Sequence, residues 1–208
     1  MRILVLGAAG RTGRHVVEQA LGHGHEVTAF VHETPVGLSD SHLEIAEGDV
    51  TDFESVRSAV EGQDVVVSAL GAARGSAGNS LSDGIGNVIH AMALSGVRRL
   101  VVLSASGTFA RKDKRLSLGL RTMIATVLRA TYDELEGMEQ RVMASDLDWT
   151  IVRPVGRTDG PLTGVYRVLL DGEVLEDASA ISRADLAALM LKSLSGTTYL
   201  CRAVTVGY

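Results

Sequence analysis

Seven consecutive residues, Gly7-Ala8-Ala9-Gly10-Arg11-Thr12-Gly13, constrain the fold of this chain more than any other feature. They stand between a short apolar run, Arg2 to Leu6, and a segment, Thr12 to Leu21, whose apolar residues recur at helical spacing. Glu26 to Val31 then reads as a second strand. A glycine-rich turn leading from a strand into a helix, with another strand behind it, is a βαβ unit. Its glycines allow the tight turn and the close approach of a pyrophosphate, and the helix start offers free N–H groups and a favourable dipole. The turn, including Gly7, Gly10, Thr12 and Gly13, is therefore expected to cradle a dinucleotide. Arg11 either faces phosphate there or stands in solvent as a first-turn cation.

The same alternation continues along the chain. A short strand is expected at Leu43 to Ala46, a helix at Phe53 to Val60, a buried strand at Asp64 to Leu70, and a helix from about Ser80 to Ser95. Leu100 to Leu103 is strongly apolar, and a longer helical region ends before a strand at Trp149 to Val152. Such alternation specifies an α/β fold, a Rossmann-type doubly wound, mainly parallel sheet with helices on both faces. Beyond Pro154 the rhythm changes. An extra strand is expected at Gly164 to Leu170, a helix at Ser182 to Leu194 with Ser182 as a cap, and a closing strand at Tyr199 to Val206. Residues 155–208 are expected to build the substrate-side wall.

With 208 residues, 46% of them hydrophobic, the chain has enough apolar material for one sizeable core, and residues 1–208 are read as a single domain. A net charge of −5 gives no general attraction to nucleic acid or to an anionic membrane, so neither is expected as a partner. The chain has no repeat, no linker-like segment and no apolar run long enough to span a bilayer. A single cysteine, Cys201, precludes an internal disulfide, and no charged-then-apolar leader precedes the first strand. A reducing cytoplasm is the expected setting, and a monomer or weak homodimer the expected state.

Cofactor choice is set at the end of the second strand, where an acid accepts from a ribose 2′-hydroxyl and a cation receives a 2′-phosphate. His32 and Glu33 stand there. His32 suits adenine or phosphate, with an exposed loop histidine as the alternative, whereas Glu33 favours the unphosphorylated ribose. The balance leans to NADPH, with NADH open. In Gly48-Asp49-Val50 the Asp49 carboxylate is placed to accept from an adenine amino group and the Val50 backbone to reach the ring, unless Asp49 is a helix cap. Small residues in Ala69-Leu70-Gly71 either let the cofactor lie against backbone or simply end a strand. Ser104 and Ser106, at the carboxyl end of strand five, are the candidate catalytic side chains that orient nicotinamide or substrate, with turn capping as the alternative. The basic run Arg111 to Arg115 follows in the next loop; Arg111 is taken as a substrate-side cation, against the alternative of a solvated loop. Arg153 either points into the substrate pocket or ties loops together.

The GAAGRTG turn, the GHEVT, GDV, LSASG and TIVRP segments together resemble the atypical short-chain dehydrogenase/reductase group. The later PLTG at Pro161 to Gly164, the Leu170-Asp171-Gly172 segment, Ile181-Ser182 and Asp185-Leu186 narrow the resemblance to the flavin reductase/biliverdin-IXβ reductase family across essentially the whole chain. The resemblance implies NADPH-dependent hydride transfer to a planar acceptor. It places Gly7, Ala9, Gly10, Thr12, His32, Asp49, Val50, Gly71, Ser104 and Pro154, with Val155 beside it, at cofactor positions. Three positions depart from that family: His32 replaces its common arginine, Ala105 a serine and Gly156 the substrate-side histidine.

Acid–base groups are sparse. Tyr132 is followed four residues later by Glu136, and Tyr166 has no lysine at that spacing, so the Tyr-x-x-x-Lys device of alcohol/ketone interconversion is absent. Reduction of a flavin suits this absence, because solvent can supply the remaining proton. His15, His23, His25, His42 and His90 form no set at metal-ligand spacing, so no metal is expected, and neither a nucleophile elbow nor a Walker lysine is present. The expected function is an NAD(P)H-dependent oxidoreductase acting on a planar acceptor: a flavin, a linear tetrapyrrole or a quinone. The alternatives are a double-bond reductase of the same fold and a redox sensor that binds the dinucleotide without turnover.

Overall fold

The first strand, β1 (Arg2–Leu6), sends Ile3 and Val5 to one face of a sheet and Leu4 and Leu6 to the other. Apolar residues on both sides of a strand require cover on both sides. In the computed structural model, which describes residues 1–71, 80–110, 129–170, 175 and 177–208, with 109 and 110 by backbone only, that cover is helical. On one face lie α1 (Arg11–Gly22) and the late helix α6 (Arg183–Lys192), packed on each other. On the other face lie α2 (Phe53–Val60), α3 (Ser80–Ser95) and α5 (Arg129–Met143), with the single-turn α4 (Gly107–Ala110) against α5.

The remaining strands are β2 (Glu26–Val31), β3 (Leu43–Glu47), β4 (Val65–Ser68), β5 (Arg99–Leu103), β6 (Asp148–Pro154), β8 (Arg167–Leu170) and β10 (Arg202–Gly207). Their order in the eight-stranded sheet is β3-β2-β1-β4-β5-β6-β10-β8, parallel except where β8 runs antiparallel to β10. The chain moves outward from β1 in one direction and then restarts on its other side at β4. Strand order therefore reverses between β1 and β4, and the crevice at the carboxyl ends of these strands is where doubly wound sheets take ligands.

The Rossmann-type single-domain α/β architecture is as expected, and Ser182 caps α6 by accepting from the Asp185 N–H. Two details differ from the sequence expectation. The tail, expected as a wall, is part of the main sheet and core: β10 pairs with β6, and α6 packs in the core cluster that holds Ile3 and Val5 of β1. A separate two-stranded ribbon, β7 (Arg157–Thr158) with β9 (Ile181–Ser182), also forms, and pairing this short leaves no alternating pattern to read.

Candidate functional site

Gly7 leaves β1 with φ at +71°, a conformation that favours glycine, and a Cβ there would lie 3.0 Å from the carbonyl carbon and oxygen of Ala69. The first turn and the end of β4 are therefore in backbone contact, sealed by the Ala69 N–H donating to the Leu6 carbonyl at 2.9 Å. Gly13 is confined more tightly, since a Cβ there would fall 2.1 Å from the Gly7 carbonyl oxygen. Gly10 occupies the cap position of α1 and offers no capping side chain, whereas α2 and α6 are capped by Asp52 and Ser182. The start of α1 is thus a backbone cradle whose N–H groups no side chain has taken. This geometry fits a pyrophosphate at Gly7, Ala9, Gly10, Thr12 and Gly13.

At the next rim, His32 follows β2 directly, with its Nε2 3.7 Å from Asp49 Oδ2. Asp49 accepts from both the N–H and the hydroxyl of Thr51 at 2.8 Å, and these bonds, with a smaller contribution from His32, hold its carboxyl below the usual carboxylate range. The capping alternative for Asp49 is resolved in favour of its neighbour, because Asp52 accepts from Glu54 and Ser55 at the start of α2. Asn87 of α3 donates to the carbonyls of Val50 and Thr51, and Gly84 leaves room for the Val50 methyls, so the loop that carries Asp49 is fixed from α3.

At the centre of the carboxyl edge, Ser104 is only 3% exposed, and its hydroxyl has no hydrogen-bond partner among the described residues. Its N–H donates to Val152, and the Ser106 N–H donates to Pro154, so both serines ride on the β5–β6 junction. Ser68 at the end of β4 is also buried, with a hydroxyl unpartnered among the described residues. Register sets Ser68 beside Val102, and the pleat directs Ser104 to the same face. Two buried, unsatisfied hydroxyls on adjacent strand ends are costly unless a ligand completes them. Ala69, Leu70 and Gly71 lie beside them, Pro154 is buried, and the Val155 side chain is exposed at the rim.

The structure assigns Arg153 to tying elements together and corrects its expected substrate-side role. It is 2% exposed and donates from Nε and Nη2 to the two oxygens of Glu139 on α5, at 2.8 and 2.6 Å. Arg111, the rest of the basic run, and Asp171 and Gly172 lie outside the described residues.

Several residues reach this edge without a local sequence signal. Asp159, just after β7, pairs with Arg11 through one oxygen and with Arg183 through the other, the latter at 2.7 Å. Arg157, on β7, is exposed, and its pKa is lowered by crowding of protein about it and by the charges of Arg183 and Arg11, with Tyr132 opposing them. Tyr132 of α5 packs its ring and hydroxyl directly over Gly107, where a Cβ would clash with the phenol. Burial raises the Tyr132 hydroxyl above its ordinary pKa, and Arg157 opposes that rise. Asp185, fully buried, accepts from the Thr163 N–H and hydroxyl, the Gly164 N–H, the Ser182 hydroxyl and Tyr208, the last at 2.6 Å. Burial alone would raise the Asp185 carboxyl, but these bonds outweigh it and hold the group below its ordinary value. The Pro161 to Gly164 turn is anchored in this way to the start of α6.

A doubly wound sheet with an uncapped glycine turn at its switch point, an acid at the second rim and orphaned hydroxyls at the next strand ends defines the nucleotide-binding class of Rossmann proteins. Residues 7–197 match the NAD(P)H-binding family, and the chain belongs to it. The uncharacterised protein YwnB of Bacillus subtilis (strain 168) is 29% identical over 205 residues, covering 93% of this chain and 92% of its own length. A short-chain dehydrogenase/reductase from Veillonella parvula DSM 2008, solved in complex with NADP, superposes with a TM-score of 0.82 at 17% identity, covering 100% of this chain and 94% of its own. ChuY, an anaerobillin reductase from Escherichia coli O157:H7, does so with a TM-score of 0.82 at 21% identity, covering 99% and 96%. At these identities the two solved structures speak to the fold.

Proposed function

We propose that this chain is an NAD(P)H-dependent oxidoreductase that passes hydride to a planar acceptor, a flavin or a linear tetrapyrrole, in a cytoplasmic setting, with NADPH as the preferred reductant and NADH as the lesser one. The observation that carries this reading is the buried Ser104 hydroxyl, unpartnered among the described residues, at the carboxyl end of β5 and one strand from the glycine turn's neighbour β4. A polar atom in that position is satisfied by the carboxamide of a nicotinamide or by the acceptor's ring heteroatoms. When bound, the reduced dinucleotide supplies the hydride.

The chain's own groups do the positioning. The α1 start holds the pyrophosphate, Asp49 and the Val50 backbone meet the adenine, and His32 meets the ribose end. Ser104 and Ser106 orient the reacting rings, while Val155 and the turn anchored on Asp185 border the acceptor. An isolated proton donor is not required, because a reduced flavin ring takes its proton from solvent.

Titration of the purified protein with NADPH and NADH, followed by nicotinamide absorbance after adding FMN, riboflavin or biliverdin, tests the reading. Tight binding and oxidation of the nucleotide with an acceptor are expected. Tight binding without oxidation by any of the three would replace the reductase with a sensor of the dinucleotide.

A further inference from the structure

A helix start is a poor place for a cation, because its free N–H groups and dipole already carry positive charge. Yet α1 opens on Arg11, with no acid in its first turn and no side-chain cap, whereas α2 and α6 each have a first-turn acid, Glu54 and Asp185, and a capping side chain. The carboxylate that answers Arg11 comes from 148 residues away: Asp159 accepts from Arg11 Nη2 through its Oδ2. Its other oxygen, Oδ1, accepts from Arg183 Nη1 at 2.7 Å. One carboxylate thus joins the first residues of the two helices that pack on each other on one face of the sheet.

The two halves of this bridge differ. Asp159 follows β7 directly, β7 pairs with β9, and β9 ends on Ser182, the cap of α6, so Asp159 and Arg183 are held on one frame. The Arg183 side chain is only 12% exposed. Arg11 reaches the bridge from outside that frame, and in its pair with Asp159 both side chains are more than half exposed. An ion pair that open is weak and readily exchanged. Arg11 also belongs to the glycine turn whose backbone N–H groups no side chain takes, the place that fits a dinucleotide pyrophosphate. A carboxylate held against Arg11 cancels the cation that a pyrophosphate would use and adds a like charge beside it.

We propose that Asp159 is a counter-ion that competes with the dinucleotide pyrophosphate for Arg11: binding displaces it from Arg11, and it keeps Arg183. Asp159 thereby sets dinucleotide affinity below what the cradle alone would give and eases release of the spent nucleotide. The exchange rests on the dinucleotide half of the proposed function and is independent of the acceptor.

Nicotinamide fluorescence measures NADPH binding to the whole chain without turnover. Asp159→Asn should bind NADPH about threefold more tightly than the wild type at low salt, the size of an exposed ion pair. That gain should fade as ionic strength rises toward roughly 1 M, where the screening length is about 3 Å. Arg11→Gln should bind about threefold more weakly, and adding Asp159→Asn to it should give no gain, because the carboxylate acts through Arg11. Asp159→Glu keeps the charge and should stay within twofold of the wild type, and thermal melts of each variant separate these shifts from lost folding. A gain that persists in the Arg11→Gln background would reduce Asp159 to repulsion through space, and weaker NADPH binding by folded Asp159→Asn would make the carboxylate a support that readies Arg11 for phosphate; either overturns the exchange. NADPH binding unmoved by Asp159→Asn overturns the exchange alone, whereas a wild type that binds no NADPH brings down the nucleotide reading with it.

Discussion

The two ends of the ligand crevice are built from different materials. At one end, the turn from Gly7 to Gly13 offers a ligand backbone, and all seven residues are contiguous. At the other end, Arg11, Tyr132, Arg157, Asp159 and Arg183 come from four separate stretches and offer long side chains, with Asp159 paired to both Arg11 and Arg183. A backbone site requires the absence of side chains at fixed spacing, and a chain can encode that locally. A side-chain site requires only that long groups converge, and the fold performs the convergence. The first kind of site tolerates almost no substitution, and the second can be retuned one residue at a time.

The largest effect should come from filling the backbone site. In Gly13→Ala the new Cβ meets the Gly7 carbonyl oxygen at 2.1 Å, so the turn must shift. Such overpacking costs about 3 kcal/mol, or roughly a hundredfold in NADPH affinity if the strain falls on the cradle. Nucleotide titration beside a thermal melt separates lost binding from lost folding. Retained affinity with an unshifted melt would end the claim that the two regions differ in tolerance.

Asp185 is the exception that sharpens the contrast, a side chain on the acceptor side that is as inflexible as the glycine turn. Replacing it in Asp185→Ala removes the shared acceptor of Thr163, Gly164, Ser182 and Tyr208, and should cost about 3 kcal/mol in urea unfolding. The pH dependence has a definite sign. A carboxyl that titrates lower in the folded chain than in the unfolded one stabilises fully above its ordinary value of about 4, and that stability drains away as pH falls through the folded value. Wild-type stability should decline on acidification over that window, and the decline should be shallower in Asp185→Ala. Parallel declines would show that other carboxylates dominate.

What the sequence makes legible follows the same division. The bounds of β1, β2, α2 and α3 coincide with the apolar runs and helical spacing that foretell them, because burial on both faces writes itself into consecutive residues. The cradle at Gly7 is equally plain. Arg157 and Asp159 carry no such mark: the first opens a two-residue strand, the second follows it, and the partners of Asp159 lie 148 and 24 residues away. Tyr132 is easily dismissed because Glu136 stands where a lysine would have flagged it, yet its cationic neighbour, Arg157, is supplied by the fold. Arg153, conspicuous beside Pro154, is consumed by Glu139, a partner 14 residues away on a helix whose inward face is legible only as a pattern of burial.

A smaller effect is expected where the two regions meet. Ser104→Ala removes a buried hydroxyl that nothing in the described residues satisfies, so the ligand-free protein should be as stable as the wild type or up to about 1 kcal/mol more so. If that hydroxyl is completed by the bound rings, NADPH affinity or turnover should fall roughly fivefold in the same variant. Opposite signs for stability and function identify a group retained for its ligand. A loss in both would return Ser104 to ordinary turn capping.

The smallest expected effect tests whether the nucleotide side can be retuned at all through a side chain. His32 follows β2 with Asp49 3.7 Å away, and that carboxylate repels a 2′-phosphate while steadying any cation placed beside it. In His32→Arg the guanidinium has donors enough to keep Asp49 on one edge and offer the other to phosphate, so the ratio of NADPH to NADH affinity should rise about threefold, the size of a solvent-exposed ion pair. An unchanged ratio would mean that His32 does not face the 2′ position and that the nucleotide end is read by backbone alone.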